Sequence, residues 1–180
     1  MPSLVEEEGA PRRIEDIHEF LALVDLSNIV VHEERSRRIH WAEAEIAKLE
    51  FPLSENTLAT QTDGRSFRFR YRMVFADQNA EFVADIEAVY DSSELVEIGN
   101  SLTADFASRV AFMAAYPFLR SSIFYSAHRL GLPAPLLAMV RQGEFSIGAD
   151  MPQEEVQRTF AGARSELVPS ELLDDGAYEN

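Results

Sequence analysis

No cysteine occurs among the 180 residues. Disulfides, thiolate metal ligands, iron–sulfur clusters and cysteine nucleophiles are thereby excluded together. No apolar run approaches the roughly 18 residues that a membrane-crossing helix needs, so membrane insertion is not expected. The first residues, Met1-Pro2-Ser3-Leu4-Val5-Glu6-Glu7-Glu8, are acidic where a signal peptide is basic and then apolar. The expected location is the cytoplasm. Basic residues are also scarce, with 16 Lys and Arg against 31 Asp and Glu and a formal charge of −15. Such a surface repels polyanions, so nucleic acid is not the expected partner; a basic stretch of an unfolded chain is attracted.

Catalytic and ligand-binding signatures are missing too. The histidines are His18, His32, His40 and His128, and none has a metal-ligand spacing such as H-E-x-x-H. Ser121, Ser122 and Ser126 lie near His128 without a G-x-S-x-G elbow. On one helix Ser121 and His128 stand two turns apart, too far for direct proton transfer. Gly64, Gly131, Gly143 and Gly148 form no phosphate-binding loop. Glu33-Glu34 and Glu154-Glu155 read as solvated faces. The expectation is a protein with no catalytic residues, no metal and no cofactor, hence not an enzyme.

What the chain does hold is apolar material. Hydrophobic residues make up 46%, with 12 Phe. A chain of this length favours one domain and buries roughly two-thirds of its unfolded surface. Ile14, Ile17, Phe20, Leu21 and Val24 recur at helical spacing, which predicts an amphipathic helix over 13–25. Ile29-Val30-Val31 predicts a strand near 27–36, and a second extended segment is expected at 43–51. Residues 53–65 are rich in Ser, Asn, Thr, Asp and Gly and read as a loop.

The clearest element is a hairpin. In Phe67-Arg68-Phe69-Arg70-Tyr71-Arg72-Met73-Val74-Phe75 the odd positions are apolar and most even ones Arg. Alternation resumes at Phe82, Ala84, Ile86, Ala88 and Tyr90, with Glu81, Asp85 and Glu87 on the other side. A turn at Gln78-Asn79 opposes Phe75 to Phe82 and Tyr71 to Ile86, and also Arg72 to Asp85 and Arg70 to Glu87. Apolar matching and charge matching choose the same register. The ion pairs are expected to be exposed, worth at most about 1 kcal/mol each.

From Ala104 to Leu130 the pattern is helical, with Pro117 expected to divide or kink it near Tyr116 and Gly131 to cap its end. Pro133 and Pro135 force an extended passage, Phe145-Ser146-Ile147 suggests an edge strand, and a short helix is expected near 154–160. Residues 165–180 carry acids and no base, as a disordered tail does. Strands come first and the main helix late, without βαβ alternation, which argues for an α+β fold with an antiparallel sheet. Ile29, Val31, Trp41, Phe51, Leu136, Leu137 and Met139 lie at strand ends or in Pro-bounded segments. They are candidates for polypeptide binding, or for closing the core or a subunit interface.

The run Arg109-Val110-Ala111-Phe112-Met113-Ala114-Ala115-Tyr116-Pro117-Phe118-Leu119-Arg120, followed by Gly131-Leu132-Pro133-Ala134-Pro135-Leu136, resembles the helix and Pro-containing loop of the SecB-like chaperone family. The order of elements agrees over about residues 20–148. The resemblance implies a four-stranded antiparallel sheet with a long kinked helix packed on it, spanning 13–150 between a flexible lead (1–12) and a short helix with a disordered acidic tail (151–180). It implies a homo-oligomer, dimer or tetramer, that holds unfolded polypeptides without ATP. Preproteins for Sec export, handed to a translocation motor, and an unstable antitoxin are the clients the family suggests. Client-contacting positions implied by the match are Ile29, Val31, Pro133, Leu136 and Leu137. The amphipathic segment before the first strand and the acidic tail depart from the export chaperone's pattern. An adaptor binding one folded partner is the alternative, and an enzyme with an unrecognised polar site comes third.

Overall fold

The computed structural model describes residues 10–137 and 152–161. Its centre is an antiparallel sheet in the order β2-β5-β4-β3, built from β2 (Val24–Arg38), β3 (Leu53–Thr62), β4 (Ser66–Ala76) and β5 (Ala80–Ser92). The hairpin register is the one that the two patterns select, with Phe75 opposite Phe82, Tyr71 opposite Ile86, Arg72 opposite Asp85 and Arg70 opposite Glu87. The Asp77 carboxylate fixes the turn by accepting from the Asn79 and Ala80 amides at 2.7 and 2.8 Å. One sheet face carries Phe67, Phe69, Tyr71, Met73 and Phe75 and is buried under a long helix.

That helix joins α3 (Asn100–Phe106), a π turn (Ala107–Ala111) and α4 (Phe112–Arg129). It runs unbroken through Pro117, which removes only one backbone donor and lies on the exposed side. The irregularity sits one turn and more earlier, where the Tyr71 hydroxyl donates to the Ala107 carbonyl at 2.7 Å. Gly131, at φ +67, ends α4 as the sequence predicts. The 2.7 Å bond from the Arg38 Nη2 to the Leu130 carbonyl ties this end to β2.

Three expectations are corrected. Residues 13–25 are not one helix but β1 (Arg12–Ile14), α1 (Ile17–Leu21) and the start of β2. β1 pairs in parallel with β6 (Val96–Ile98), and Val24 opposes Ser92 in the main sheet. Strand pairing, invisible to local periodicity, outcompetes the helix on either side of Ile17–Leu21, and helix remains only after the Asp16 cap, whose carboxylate accepts from the His18 and Glu19 amides. Residues 43–51 are not extended: Glu43–Ile46 form a short helix, α2, with Glu45 accepting from the Ala42 amide at 2.9 Å. Residues 53–65 are largely strand, because β3 pairs with β4 in unbroken register from Leu53 opposite Ala76 to Thr62 opposite Phe67. The expected helix near 154–160 is α5 (Gln153–Ala161), whereas Phe145-Ser146-Ile147 and residues 165–180 lie outside the described residues.

Candidate polypeptide-binding site

β2 is an edge strand carrying two bulges. The register skips at Ser27 and at His32, so each adds one residue to β2 without a partner on β5. The bulges restore the same facing on either side. Leu26, Ile29 and Val31 oppose Tyr90, Ala88 and Ile86, whose side chains are all in the core, so all three stand on the helix side of the sheet. Ile29 packs against the core, but Leu26 and Val31 remain 47% and 51% exposed.

The long helix supplies the facing wall. Its residues 118, 125 and 129 fall at i, i+7 and i+11, on one flank. The guanidinium of Arg129 reaches Glu34 of β2 at 3.8 Å, and Glu34 opposes Ala84 on the helix side of the sheet. That flank therefore looks toward the β2 edge. Phe118 and Tyr125 on it are 46% and 64% exposed. An apolar strip thus runs between β2 and α4, with Leu26 and Val31 on one wall, Phe118 and Tyr125 on the other, and the Glu34–Arg129 pair closing one end.

Trp41 and Phe51 stack edge to face at 5.4 Å between ring centroids, and the Trp41 indole donates to the Asp77 carbonyl at 3.1 Å over the hairpin turn. Leu137 packs against the core, Pro133 is exposed, and Leu136 is almost fully exposed. Met139 lies outside the described residues. The structure thus brings Ile29 and Val31 together on one wall and joins Trp41 to Phe51. Leu26, Phe118 and Tyr125 were missed in the sequence reading.

The opposite sheet face is charged with its central carboxylates buried, which corrects the expected exposed pairs. Asp85 and Glu87 are buried. Long Arg side chains lean along the strand to the diagonal neighbour, so Arg70 grips Asp85 with bonds of 2.8 and 2.9 Å, and Arg68 grips Glu87. Arg72 reaches Glu33 at 3.7 Å. The His32 bulge aims its imidazole at Glu87 Oε2, which Arg68 also contacts. Burial pushes the Tyr90 phenol up to about 12 and the Tyr71 phenol well above its ordinary value. Among the described residues no cluster of His, Asp or Glu is placed to hold a metal ion, and no helix is long and apolar enough to cross a membrane.

No protein-family model matches the chain. It is 30% identical over 152 residues to the SecB-like chaperone SmegB of Mycolicibacterium smegmatis, covering 84% of this chain and 99% of that one. The chain belongs to the SecB-like chaperone family. Its backbone is similar to that of the Mycobacterium tuberculosis SecB-like chaperone Rv1957, solved in complex with a ChAD peptide from the Rv1956 HigA1 antitoxin. The TM-score is 0.57 at 16% identity, with 69% of this chain and 92% of that one covered. That similarity supports the α+β fold, a four-stranded antiparallel sheet under one long joined helix.

Proposed function

We propose that this SecB-like protein is a cytoplasmic holding chaperone that binds non-native polypeptide segments without ATP and without catalytic chemistry. The observation that carries this reading is the apolar strip between the β2 edge and α4. Its walls leave large side chains in water, and its floor is a strand edge with unpaired backbone groups. An extended segment lying there gains main-chain hydrogen bonds from β2 and apolar contacts from Val31 and Tyr125 together. Many weak contacts of this kind give broad selectivity. The acidic surface favours basic stretches of a client.

An unstable antitoxin is the client class we favour over Sec preproteins, because the related Rv1957 is solved with an antitoxin peptide. A second face of α4 supports a homo-oligomer. Met113 and Phe124 are exposed there beside Pro117, and the His128 ring lies 4.6 Å from Phe124 between centroids. A second copy covers such a face without touching the strip.

Native mass spectra of the protein, alone and with a reduced, permanently unfolded client, test the proposal. We expect a dimer or tetramer that takes up unfolded client and ignores the same client folded. Indifference to several unfolded clients removes holding activity and leaves the adaptor with one folded partner.

A further inference from the structure

Three consecutive residues of β2 each meet a different element. His32 is the unpaired residue of the second bulge, between Val31 opposite Ile86 and Glu33 opposite Asp85. Its imidazole Nε2 lies 2.5 Å from Glu87 Oε2 on β5. Glu33, on the charged face, meets Arg72 of β4 at 3.7 Å. Glu34, on the helix side, meets Arg129 of α4 at 3.8 Å. The facing of all three depends on the bulge. Strict alternation from Val31 would put Glu33 with it on the helix side and turn Glu34 to the charged face.

The three contacts are unequal. Both side chains of the Glu33–Arg72 pair and both of the Glu34–Arg129 pair are substantially exposed, so water screens these long contacts and they hold little. Glu87 is fully buried, and the His32 side chain is only 20% exposed. A hydrogen bond to a buried ionised group is among the stronger ones a protein makes. The bulged residue has no partner in the ladder, so this side-chain bond is what fixes it. Glu87 keeps both bonds from Arg68 without His32, so removing the imidazole leaves no buried charge unpaired. His32 therefore anchors the bulge while the rest of the sheet stands without it.

Loss of the anchor lets β2 slip by one residue at this point. The slip turns Glu34 away from Arg129, which opens the closed end of the strip. It also exchanges the β2 backbone groups that point outward for those that point to β5. We propose that His32 is a positioning residue for the client: its bond to Glu87 holds the bulge, and the bulge sets both the closed end of the strip and the edge groups that an added client strand meets. An extended segment then finds one register on β2 instead of two. The client's part in this rests on the chaperone reading of the strip; the anchoring of the bulge does not.

The test compares the full chain as wild type, His32→Gln, His32→Leu and His32→Ala. His32→Gln keeps an Nε2 donor for Glu87, His32→Leu keeps bulk without a donor, and His32→Ala keeps neither. Exchange of the β2 amides paired to β5 over residues 30–36 is expected to run about tenfold faster in His32→Leu and His32→Ala and at the wild-type rate in His32→Gln, with β4 unchanged throughout. Isothermal titration of a permanently unfolded client is expected to show binding weakened about tenfold in His32→Leu and His32→Ala and restored in His32→Gln. Two variants without the donor keep the comparison if one of them does not fold. Equal exchange over 30–36 in all four forms, acceleration of β4 together with β2, or His32→Gln behaving as His32→Leu does overturns the anchor. Faster exchange with unchanged client affinity overturns the positioning role. If the wild type captures no client, the chaperone reading falls and the exchange pattern alone decides the anchor; client capture with equal exchange in all forms keeps the chaperone reading and removes the anchor.

Discussion

Replacing Arg70 by alanine isolates the energetics of the charged sheet face. The Arg70 side chain is 10% exposed and that of Asp85 3%, and two bonds of 2.8 and 2.9 Å join them. Removing the guanidinium leaves a buried carboxylate without a counter-charge, which costs about 3–5 kcal/mol. That is a large share of the roughly 5–15 kcal/mol that stabilises a domain. With a urea dependence of about 2 kcal/mol per molar, the unfolding midpoint falls by about 1.5–2.5 M. The double replacement Arg70→Met with Asp85→Leu removes both charges and keeps the bulk, so it is expected within about 1 kcal/mol of wild type. Urea unfolding followed by circular dichroism reads both variants. A midpoint shift for Arg70→Ala equivalent to less than about 1 kcal/mol would refute the argument, because that is the worth of an exposed pair.

Three further outcomes follow from single contacts. Tyr71→Phe removes the hydroxyl bond to Ala107 at the π turn and is expected to cost about 1 kcal/mol in urea unfolding; a neutral result shows that the π turn is held by packing alone. Gly64→Ala is expected to destabilise more than Gly131→Ala, although both glycines have positive φ. A Cβ at Gly64 meets Leu95 Cδ1 at 2.9 Å, whereas at Gly131 it meets nothing within 4 Å, and equal thermal shifts would contradict this ordering. Burial raises the folded Tyr90 phenol to about 12. Its contribution is therefore fully present below about pH 10, the unfolded value, and is lost as pH climbs through about 12. The difference between the ultraviolet titrations of wild type and Tyr90→Phe is expected to show the Tyr90 phenolate forming with loss of structure rather than before it; a Tyr90 difference signal at pH 10 in a folded chain contradicts the burial.

The hairpin was legible because two independent patterns, apolar alternation and Arg facing acid, demand one register. The diagonal choice of ionic partners was not legible, because it depends on how long side chains lean and on the bulge that brings His32 to Glu87. β3 was hidden for a different reason. As an edge strand it keeps most of both faces partly solvated, so Ser, Asn, Thr and Gln carry no alternation to read. The split of residues 13–25 comes from partners 84 and 68 residues away: Arg12 opposite Val96 and Val24 opposite Ser92. Among the site residues, Ile29 and Val31 were visible as a β-branched run, but the facing wall was overlooked. The available signal was the breadth of apolar character on α4. Leu119, Ile123 and Ala127 suffice for a core stripe, so Phe118 and Tyr125 on a second side mark a helix with more than one partner.

The strip between β2 and α4 is tested most directly by isothermal titration of a permanently unfolded client into wild type and into the double variant Val31→Asp with Tyr125→Asp. Both side chains are more than half exposed, so the fold and its urea midpoint are expected to hold. If client lies in the strip, two buried carboxylates without partners weaken binding at least about a hundredfold, about tenfold for each lost 1.4 kcal/mol. An unchanged dissociation constant in the folded double variant contradicts the account and places the client elsewhere on the molecule.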